Sequence, residues 1–349
     1  MSAENRQLDI TLKVLLPVAI GLGVVWWMFG REFKEDIWAS IDFNGRTILG
    51  LSLAWLFMLG RDFGMTWRFK VLTDGRLSWL KSIRVCFMCE FTSCITPTSV
   101  GGSALSMLFM HREGIEMGRA TTLTMTTLFL DELFFVISLP IVMALVPYKE
   151  LFGFGEDKTF ITGLQTAFWI IYIGIFLWTV LLFVGIIVRP HAVKTALVKL
   201  FGLKPLRRWR PKMEQLGTDM EATGRDIRHR SLSWWLEVGG GTVVSWLSRY
   251  LVVNALFLGF APEAGQVVVL ARQFVVWVIL MVSPTPGGAG ISEWLFTTYY
   301  GDLIHTASMV LVIALFWRVI SYYIYLVIGV CMLPAWFRKE KGKTKSIEI

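Results

Sequence analysis

A short motif containing proline and glycine occurs twice in this chain, each time inside hydrophobic sequence. The first copy runs from Thr96 to Ser103 and the second from Ser283 to Gly290. Proline removes a backbone donor and glycine removes a side chain that stabilises helices, so each motif interrupts a helix. In lipid, unpaired backbone groups are costly, and a broken helix persists only inside protein or beside a water-filled cavity. Two matching breaks are typical of the binding site of transporters built from repeats.

The composition indicates a protein that crosses a membrane several times. Of the 349 residues, 55% are hydrophobic and only 17% are charged, which is unusual for a soluble domain. We predict spans over residues 10–30, 47–69, 79–97, 119–147, 163–188, 232–260, 265–283 and 306–336. The apolar pieces behind the motifs, 103–110 and 289–300, are too short to cross alone. The expected fold is therefore all-α and polytopic, with about eight spans and two re-entrant hairpins.

Loop charges predict the direction of the spans. The segment from Arg189 to Arg230 and the tail from Arg338 are basic, whereas the segment from Lys149 to Lys158 is rich in acids. Basic loops remain in the cytoplasm, so both termini are predicted to be cytoplasmic. The same rule accounts for the net charge of +8 without a nucleic-acid partner.

The two halves of the chain carry matching landmarks. Arg61 and Arg249 are 188 positions apart, and Pro97 and Pro284 are 187 apart. Two further pairs keep nearly the same offset, namely Arg84 with Arg272 and Glu132 with Arg318. Because the span with Arg61 runs towards a basic loop and the span with Arg249 runs away from one, we predict an inverted repeat. The predicted parts are a first repeat over 1–158 with a hairpin near 97–110, a second over 159–337 with a basic cytoplasmic loop at 189–231 and a hairpin near 284–300, and a basic cytoplasmic tail over 338–349.

Charged residues lie within the predicted spans. They are Arg61, Asp62, Glu90, Asp131, Glu132, Glu237, Arg249, Arg272, Glu293 and Arg318. A charge that faces lipid at mid-depth costs about 2.5–3.5 kcal/mol or more, so these side chains should face a cavity or one another. Two interpretations follow, either ion pairs that fasten helices or a binding site. Arginine favours the second, because its planar donor fork matches phosphate.

The predicted substrate site lies where the hairpin tips meet. Its side chains are Arg61, Glu132, Arg249, Arg272, Glu293 and Arg318, and its motif residues are Pro97, Thr98, Gly101, Gly102, Pro284, Pro286, Gly287, Gly288 and Gly290. Glu293 has three possible roles, namely pairing with a cavity arginine, contacting a cationic headgroup or carrying a coupling proton. Neither motif continues as a phosphate-binding loop, so an ion gradient or the lipid gradient should drive the process. The scattered Cys and His residues indicate no metal site, and no cofactor is expected.

One segment of the basic loop has the pattern of a surface helix. From His191 to Phe201, apolar residues share one helical face while Lys194 and Lys199 lie elsewhere. This arrangement fits an interfacial helix attracted to anionic headgroups. A topology signal with no further role explains it equally well.

The second motif also points to a family. The pattern Pro284-x-Pro286-Gly287-Gly288-x-Gly290-x-x-Glu293, in the penultimate membrane region, resembles the lysylphosphatidylglycerol synthase transmembrane-region family of flippase-like proteins. The resemblance implies movement of lipids between leaflets, such as aminoacylated phosphatidylglycerol or polyisoprenyl-linked glycans. The chain shows no aminoacyl-transferase domain, so we do not expect it to make lysyl-lipid.

We therefore expect a lipid flippase or transporter of the bacterial inner membrane, and not an enzyme. Its substrate would be a phospholipid or polyisoprenyl-linked lipid whose anionic headgroup enters a polar cavity between the repeats. One alternative is a membrane-embedded enzyme that modifies headgroups, with Glu293 or Glu132 as general base. Another is an ion-coupled carrier of a small anionic solute.

Overall fold

The described part of the chain is all-helical, as the sequence predicts. The computed structural model describes residues 43–96, 102, 104–152, 158–304 and 307–332. The predicted span 10–30, most of the first motif with Pro97, Thr98 and Gly101, and the tail over 338–349 lie outside the described residues. The α-helices are α1 (Gly45–Leu72), α2 (Trp79–Ile95), α3 (Ser106–Arg112), α4 (Met117–Leu145), α5 (Tyr148–Phe152), α6 (Lys158–Phe183), α7 (Pro190–Leu200), α8 (Arg210–Arg228), α9 (Leu232–Phe260), α10 (Gln266–Leu280), α11 (Ile291–Tyr300) and α12 (Ala307–Arg318).

Two of these helices continue through π-helical turns. The turn Val184–Val188 follows α6, and the turn Val319–Tyr323 follows α12. Short 3₁₀ helices occupy Lys204–Trp209 and Gly301–Leu303.

Within the described residues, five helical segments are long and apolar enough to cross a membrane. They are Gly45–Leu72, Met117–Leu145, Ile161–Val188, Leu232–Phe260 and Met309–Met332, and each overlaps a predicted span. The predicted spans 79–97 and 265–283 form α2 and α10, of 17 and 15 residues, which is shorter than the roughly 20 residues of a full crossing. The chain is thus a multi-pass helical membrane protein.

Helices α1 and α9 run antiparallel in direct backbone contact. Gly50, early in α1, lies against Gly259 at the end of α9, whereas Gly64, further along α1, lies against Gly241 near the beginning of α9. A Cβ atom on Gly50 would lie 2.6 Å from the carbonyl oxygen of Ala255. Small residues allow membrane helices to approach this closely. The contact brings the middles of α1 and α9 together.

Helices α2 and α3 fold back on each other, and so do α10 and α11. Lys81 Nζ, near the beginning of α2, donates to the carbonyl oxygen of Glu113, just after α3, at 3.1 Å. In the second pair, the Tyr300 hydroxyl at the end of α11 donates to the carbonyl oxygen of Val269, near the beginning of α10, at 3.1 Å. Each pair therefore begins and ends on the same side of the molecule.

Helices α7 and α8 pack against each other beside one end of the bundle. Gly217 of α8 lies against Lys194 of α7, and a Cβ atom on Gly224 would lie 2.8 Å from the carbonyl oxygen of Ile186. An ion pair fastens α8 to the end of the bundle, since Arg119 at the beginning of α4 lies 3.7 Å from Asp226 of α8. The orientation of α7 relative to α6 is consequently fixed.

Candidate functional site

A polar cavity lies at the centre of the helical bundle. The volume open to the centres of water molecules is about 130 Å³, which is room for several water molecules. Its charged lining residues are Arg61, Arg68, Glu90, Asp131, Glu132, Arg249 and Arg318. Trp246, Trp277 and Phe135 contribute an aromatic wall, and Gly287 and Gly288 of the second motif also reach the cavity. The structure thus brings four of the six predicted charged site residues to one cavity.

Glu90 on α2 is shared by an arginine from each of the two antiparallel helices. Its carboxylate pairs with Arg61 on α1 and accepts a hydrogen bond from Arg249 Nη2 on α9 at 3.1 Å. Arg61 also donates from Nη1 to Asp62 at 2.6 Å, and the Tyr325 hydroxyl donates to the same carboxylate at 2.7 Å. Two guanidinium groups are therefore held side by side in the middle of the molecule, although like charges repel.

Arg249 is the most open of the cavity arginines. Its side chain is 18% exposed, whereas those of Arg61, Arg68 and Arg318 are 1%, 3% and 6% exposed. The guanidinium lies 5.3 Å from the ring centre of Trp246 and 4.8 Å from that of Trp277, within the range of cation–π attraction. Arg249 is thus the arginine positioned to offer donors to a molecule in the cavity.

Arg68 is a cavity residue that the sequence analysis did not single out, although it lies within the predicted span 47–69. Its Nη1 donates to Asp131 Oδ1 at 2.5 Å and to Thr242 Oγ1 at 3.1 Å. The Trp246 indole N–H donates to the same Asp131 oxygen at 2.8 Å. A signal was present, because Arg68 follows Arg61 by seven residues, or two helical turns, and shares its face.

Glu132 differs from every other acid in the cavity. Its neighbour Asp131 pairs with Arg68, but Glu132 forms no ion pair with any described residue. The residue is only 3% exposed, and its Oε2 atom is buried without a hydrogen-bond partner among the described residues. A buried ionised carboxylate without a partner is costly. Glu132 is therefore the cavity acid whose negative charge no described residue balances through an ion pair.

Glu293 pairs with Arg318, which is one of the three roles that the sequence left open. Glu293 Oε1 lies 2.7 Å from Arg318 Nε, while Oε2 accepts hydrogen bonds from Gly290 N at 2.7 Å and Ser292 Oγ at 2.9 Å. Arg318 Nη1 in turn donates to the carbonyl oxygen of Gly287 at 3.3 Å. The pair therefore fastens the turn before α11 to α12.

The second motif forms the turn between α10 and α11 and contacts the end of α2. Gly287 N donates to the carbonyl oxygen of Thr96 at 3.2 Å. Gly287 has a φ of 55°, and a Cβ atom there would lie 2.1 Å from the ring of Tyr322, so glycine is required on both counts. Pro284 and Pro286 lie in the same turn. In the first motif, Gly102 packs against Cys89 on α2.

Comparison with known sequences identifies the family. The pattern of the family described as "Lysylphosphatidylglycerol synthase TM region" matches residues 14–329. The chain belongs to this family. It is also 23% identical over 330 residues to a "UPF0104 membrane protein" of Archaeoglobus fulgidus, covering 90% of this chain and 94% of that protein. No solved structure matches the chain.

In this member of the lysylphosphatidylglycerol synthase transmembrane-region family, Arg272 does not reach the cavity. Its guanidinium pairs with Asp302 at 2.5 Å and donates from Nε to the carbonyl oxygen of Glu150 at 2.8 Å. It also donates to the carbonyl oxygen of Tyr299 at 2.5 Å. The prediction that Arg272 lies beside Arg249 and Arg318 is therefore corrected. Asp302, just after α11, accepts two hydrogen bonds from the Arg272 guanidinium and holds it at the end of the bundle.

Proposed function

We propose that this protein moves a phospholipid or polyisoprenyl-linked lipid between leaflets, with the headgroup in the central cavity and the tails in the bilayer. The observation that carries the proposal is the partly open Arg249 guanidinium in a polar cavity of a multi-pass membrane protein. A headgroup that leaves water must exchange its hydration for fixed charges. Arginine supplies planar donors that fit a phosphate diester.

Protonation of Glu132 would favour an anionic headgroup. Four arginines and three acids line the cavity, and Asp62 and Glu293 pair with two of those arginines, Arg61 and Arg318. When Glu132 is ionised the acids of this cluster outnumber its arginines by one, and protonation of Glu132 removes that excess. The cavity would then attract a phosphate more strongly, and loss of the proton would help to release it.

We infer an inverted repeat from contacts that recur in both halves. Arg84 on α2 lies 3.6 Å from Glu113 beyond α3, and Arg272 on α10 pairs in the same way with Asp302 beyond α11. Helices α1 and α9, the equivalent helices of the two halves, run antiparallel, as equivalent helices of an inverted repeat do. On this basis α2–α3 and α10–α11 are re-entrant hairpins of repeats 1–158 and 159–337, and they alternate access to the cavity.

We place the protein in the inner membrane with the basic segment 189–231 and both termini on the cytoplasmic side. The support for this orientation is the positive charge of that segment, since basic loops are retained in the cytoplasm. The fold-back of α2 and α3 then enters from the cytoplasmic side, and that of α10 and α11 enters from the opposite side.

The direct test is leaflet transfer in vesicles that contain the purified protein. Phosphatidylglycerol with a fluorescent acyl chain is placed in both leaflets, and a reductant that does not cross the membrane quenches the outer leaflet. We expect quenching to continue beyond the outer half only in vesicles that contain protein. Quenching that stops at half would contradict the proposed transfer.

Glu132 is the side chain that we propose to couple transfer to protons. The other charged side chains that line the same cavity are Arg61 and Arg68 of α1, Glu90 of α2, Asp131 of its own helix, Arg249 of α9 and Arg318 of α12. Glu293 is less suitable, because Arg318 and two further donors bind its carboxylate. A change of protonation at Glu293 would break the turn before α11, whereas a change at Glu132 breaks no hydrogen bond between described residues.

Glu132→Gln is expected to abolish the effect of a pH gradient on transfer. Wild-type vesicles should transfer labelled lipid several-fold faster when a gradient is imposed, because proton uptake changes the charge of the cavity. The variant should give one rate with and without the gradient. Glu237→Gln, which removes an exposed carboxylate of α9, is the matched control and should respond as wild type does. An undiminished gradient response in Glu132→Gln would exclude Glu132 as the proton carrier.

A headgroup-modifying enzyme is the second candidate, and the same Glu132 observation favours it. A buried carboxylate without a cation is suited to act as a general base. Mass spectrometry of the lipids recovered from the transfer assay separates the two functions. Unaltered lipid with continued quenching supports transport, whereas a changed headgroup mass would support catalysis.

A further inference from the structure

A second concave site lies outside the central cavity, between α7 and the end of α8. The volume of this groove that is open to the centres of water molecules is about 910 Å³. Its basic lining residues are Arg189, His191, Lys199, Arg225, Arg228 and His229. None of the described lining residues is acidic. A groove lined by one sign of charge concentrates ions of the opposite sign.

Three of these cations have no partner within the described part of the chain. Arg189, Lys199 and Arg228 form no ion pair or hydrogen bond through their side chains with a described residue. The nearby acid Glu221 does not neutralise them, because it pairs with His191 at 3.2 Å and also with Arg225. The groove therefore presents cationic donors that no described side chain satisfies.

Helix packing fixes the shape of the groove. Glu221 on α8 joins the two helices, since it pairs with Lys194 and His191 of α7. Burial acts to raise the pKa of Glu221, but the hydrogen bond from His191 and the charges of Arg225, His191 and Lys194 outweigh it and hold the pKa below its ordinary value. The carboxylate thus stays ionised at neutral pH and keeps the walls of the groove together.

The position of the groove indicates the kind of ligand. Its lining begins at Val188, the last residue of the candidate span Ile161–Val188. Val184 and Leu181, on the preceding turns, are exposed and apolar. The π-helical turn Val184–Val188 ends at this point, and such turns are frequent at functional sites. A cationic groove at the end of a membrane span lies at the depth of lipid headgroups.

We propose that this groove binds a phosphate ester, and specifically the headgroup of an anionic phospholipid in the adjacent leaflet, at a site separate from the transport cavity. Arg189, Lys199 and Arg228 provide the charged donors, and the exposed apolar side chains of α6 lie where the acyl chains would run. A basic segment that served only as a topology signal would need neither a fixed concave shape nor unpaired donors on two helices.

The test compares lipid binding by two variants that lose the same charge from the same segment. The first carries Arg189→Gln, Lys199→Gln and Arg228→Gln. The control carries Arg207→Gln, Arg210→Gln and Lys212→Gln, at exposed positions outside the groove. Both are made in wild type and in an Arg249→Gln background, so that binding in the central cavity is separated from binding in the groove. Native mass spectrometry in neutral detergent measures bound phosphatidylglycerol, with phosphatidylcholine as the zwitterionic reference.

The groove variant is expected to bind phosphatidylglycerol about 100-fold more weakly than the control, because each interfacial cation contributes roughly a factor of five. Phosphatidylcholine binding should not differ between the two. Inorganic phosphate should compete only weakly if acyl chains contribute, and competition at low millimolar concentration would identify a free phosphate compound as the ligand. Equal phosphatidylglycerol binding by both variants would overturn the proposal. If the triple variant unfolds, the single exposed substitution Lys199→Glu replaces it and should still weaken binding at least tenfold.

Discussion

Arg249→Gln is expected to slow lipid transfer about 100-fold and to leave the protein folded. The Arg249 guanidinium is the most exposed of the four in the cavity, and a hydrogen bond to a charged group contributes about 1.5–3 kcal/mol. Glu90 keeps its ion pair with Arg61 in the variant, so no buried acid is left without a cation. The rate of leaflet transfer in reconstituted vesicles measures the effect.

Arg84→Gln is the matched control for this experiment. Arg84 is also an arginine of a membrane-region helix, but its side chain is 44% exposed and pairs with Glu113 away from the cavity. Its removal should change transfer less than twofold. Thermal unfolding in detergent verifies that both variants fold. Wild-type transfer by folded Arg249→Gln protein would show that the headgroup does not use this guanidinium.

Gly64→Leu is expected to prevent correct packing of α1 against α9. A Cβ atom on Gly64 would lie 2.7 Å from the carbonyl oxygen of Gly241 and equally close to the backbone nitrogen of Ser245. Backbone atoms of two long helices cannot move aside locally, so the cost should reach or exceed the upper end of overpacking, about 3 kcal/mol. A lower thermal unfolding midpoint and loss of transfer should appear together, because the same contact aligns Arg61 with Arg249.

Gly239→Leu provides the comparison for the glycine experiment. Gly239 lies on α9, two residues before Gly241, and a Cβ atom there meets nothing within 4 Å. Leucine also has a higher helix propensity than glycine. The control should therefore unfold at the wild-type temperature or slightly above it. Equal midpoints for the two leucine variants would mean that the helices do not approach as closely as described.

The sequence was sufficient to find much of the cavity because charge is costly in a membrane. Arg61, Glu132, Arg249 and Arg318 were recognisable as isolated charges in apolar spans, and all four line the cavity. The second motif was recognisable from its prolines and glycines, whose backbone preferences are local. Features that depend on single residues or on short spacing were thus accessible without a structure.

Pairing between distant helices could not be read from the sequence. Arg272 resembles Arg249 in its local sequence, but Asp302 binds it at the end of the bundle. Asp131 and Glu132 are adjacent and chemically alike, yet only Asp131 meets an arginine. These differences arise from the positions of helices relative to one another, on which hydrophobic periodicity carries no information.

The charges of the cavity are distributed unevenly between the two parts of the chain. The charged lining residues that precede residue 150 are three acids and two arginines, namely Glu90, Asp131, Glu132, Arg61 and Arg68, whereas those that follow residue 230 are the arginines Arg249 and Arg318. The two walls therefore attract each other across the cavity. On the proposed function, a headgroup would compete with this attraction when it enters, and the attraction would hold the unloaded protein closed and limit both leakage of ions and cycles that carry no cargo.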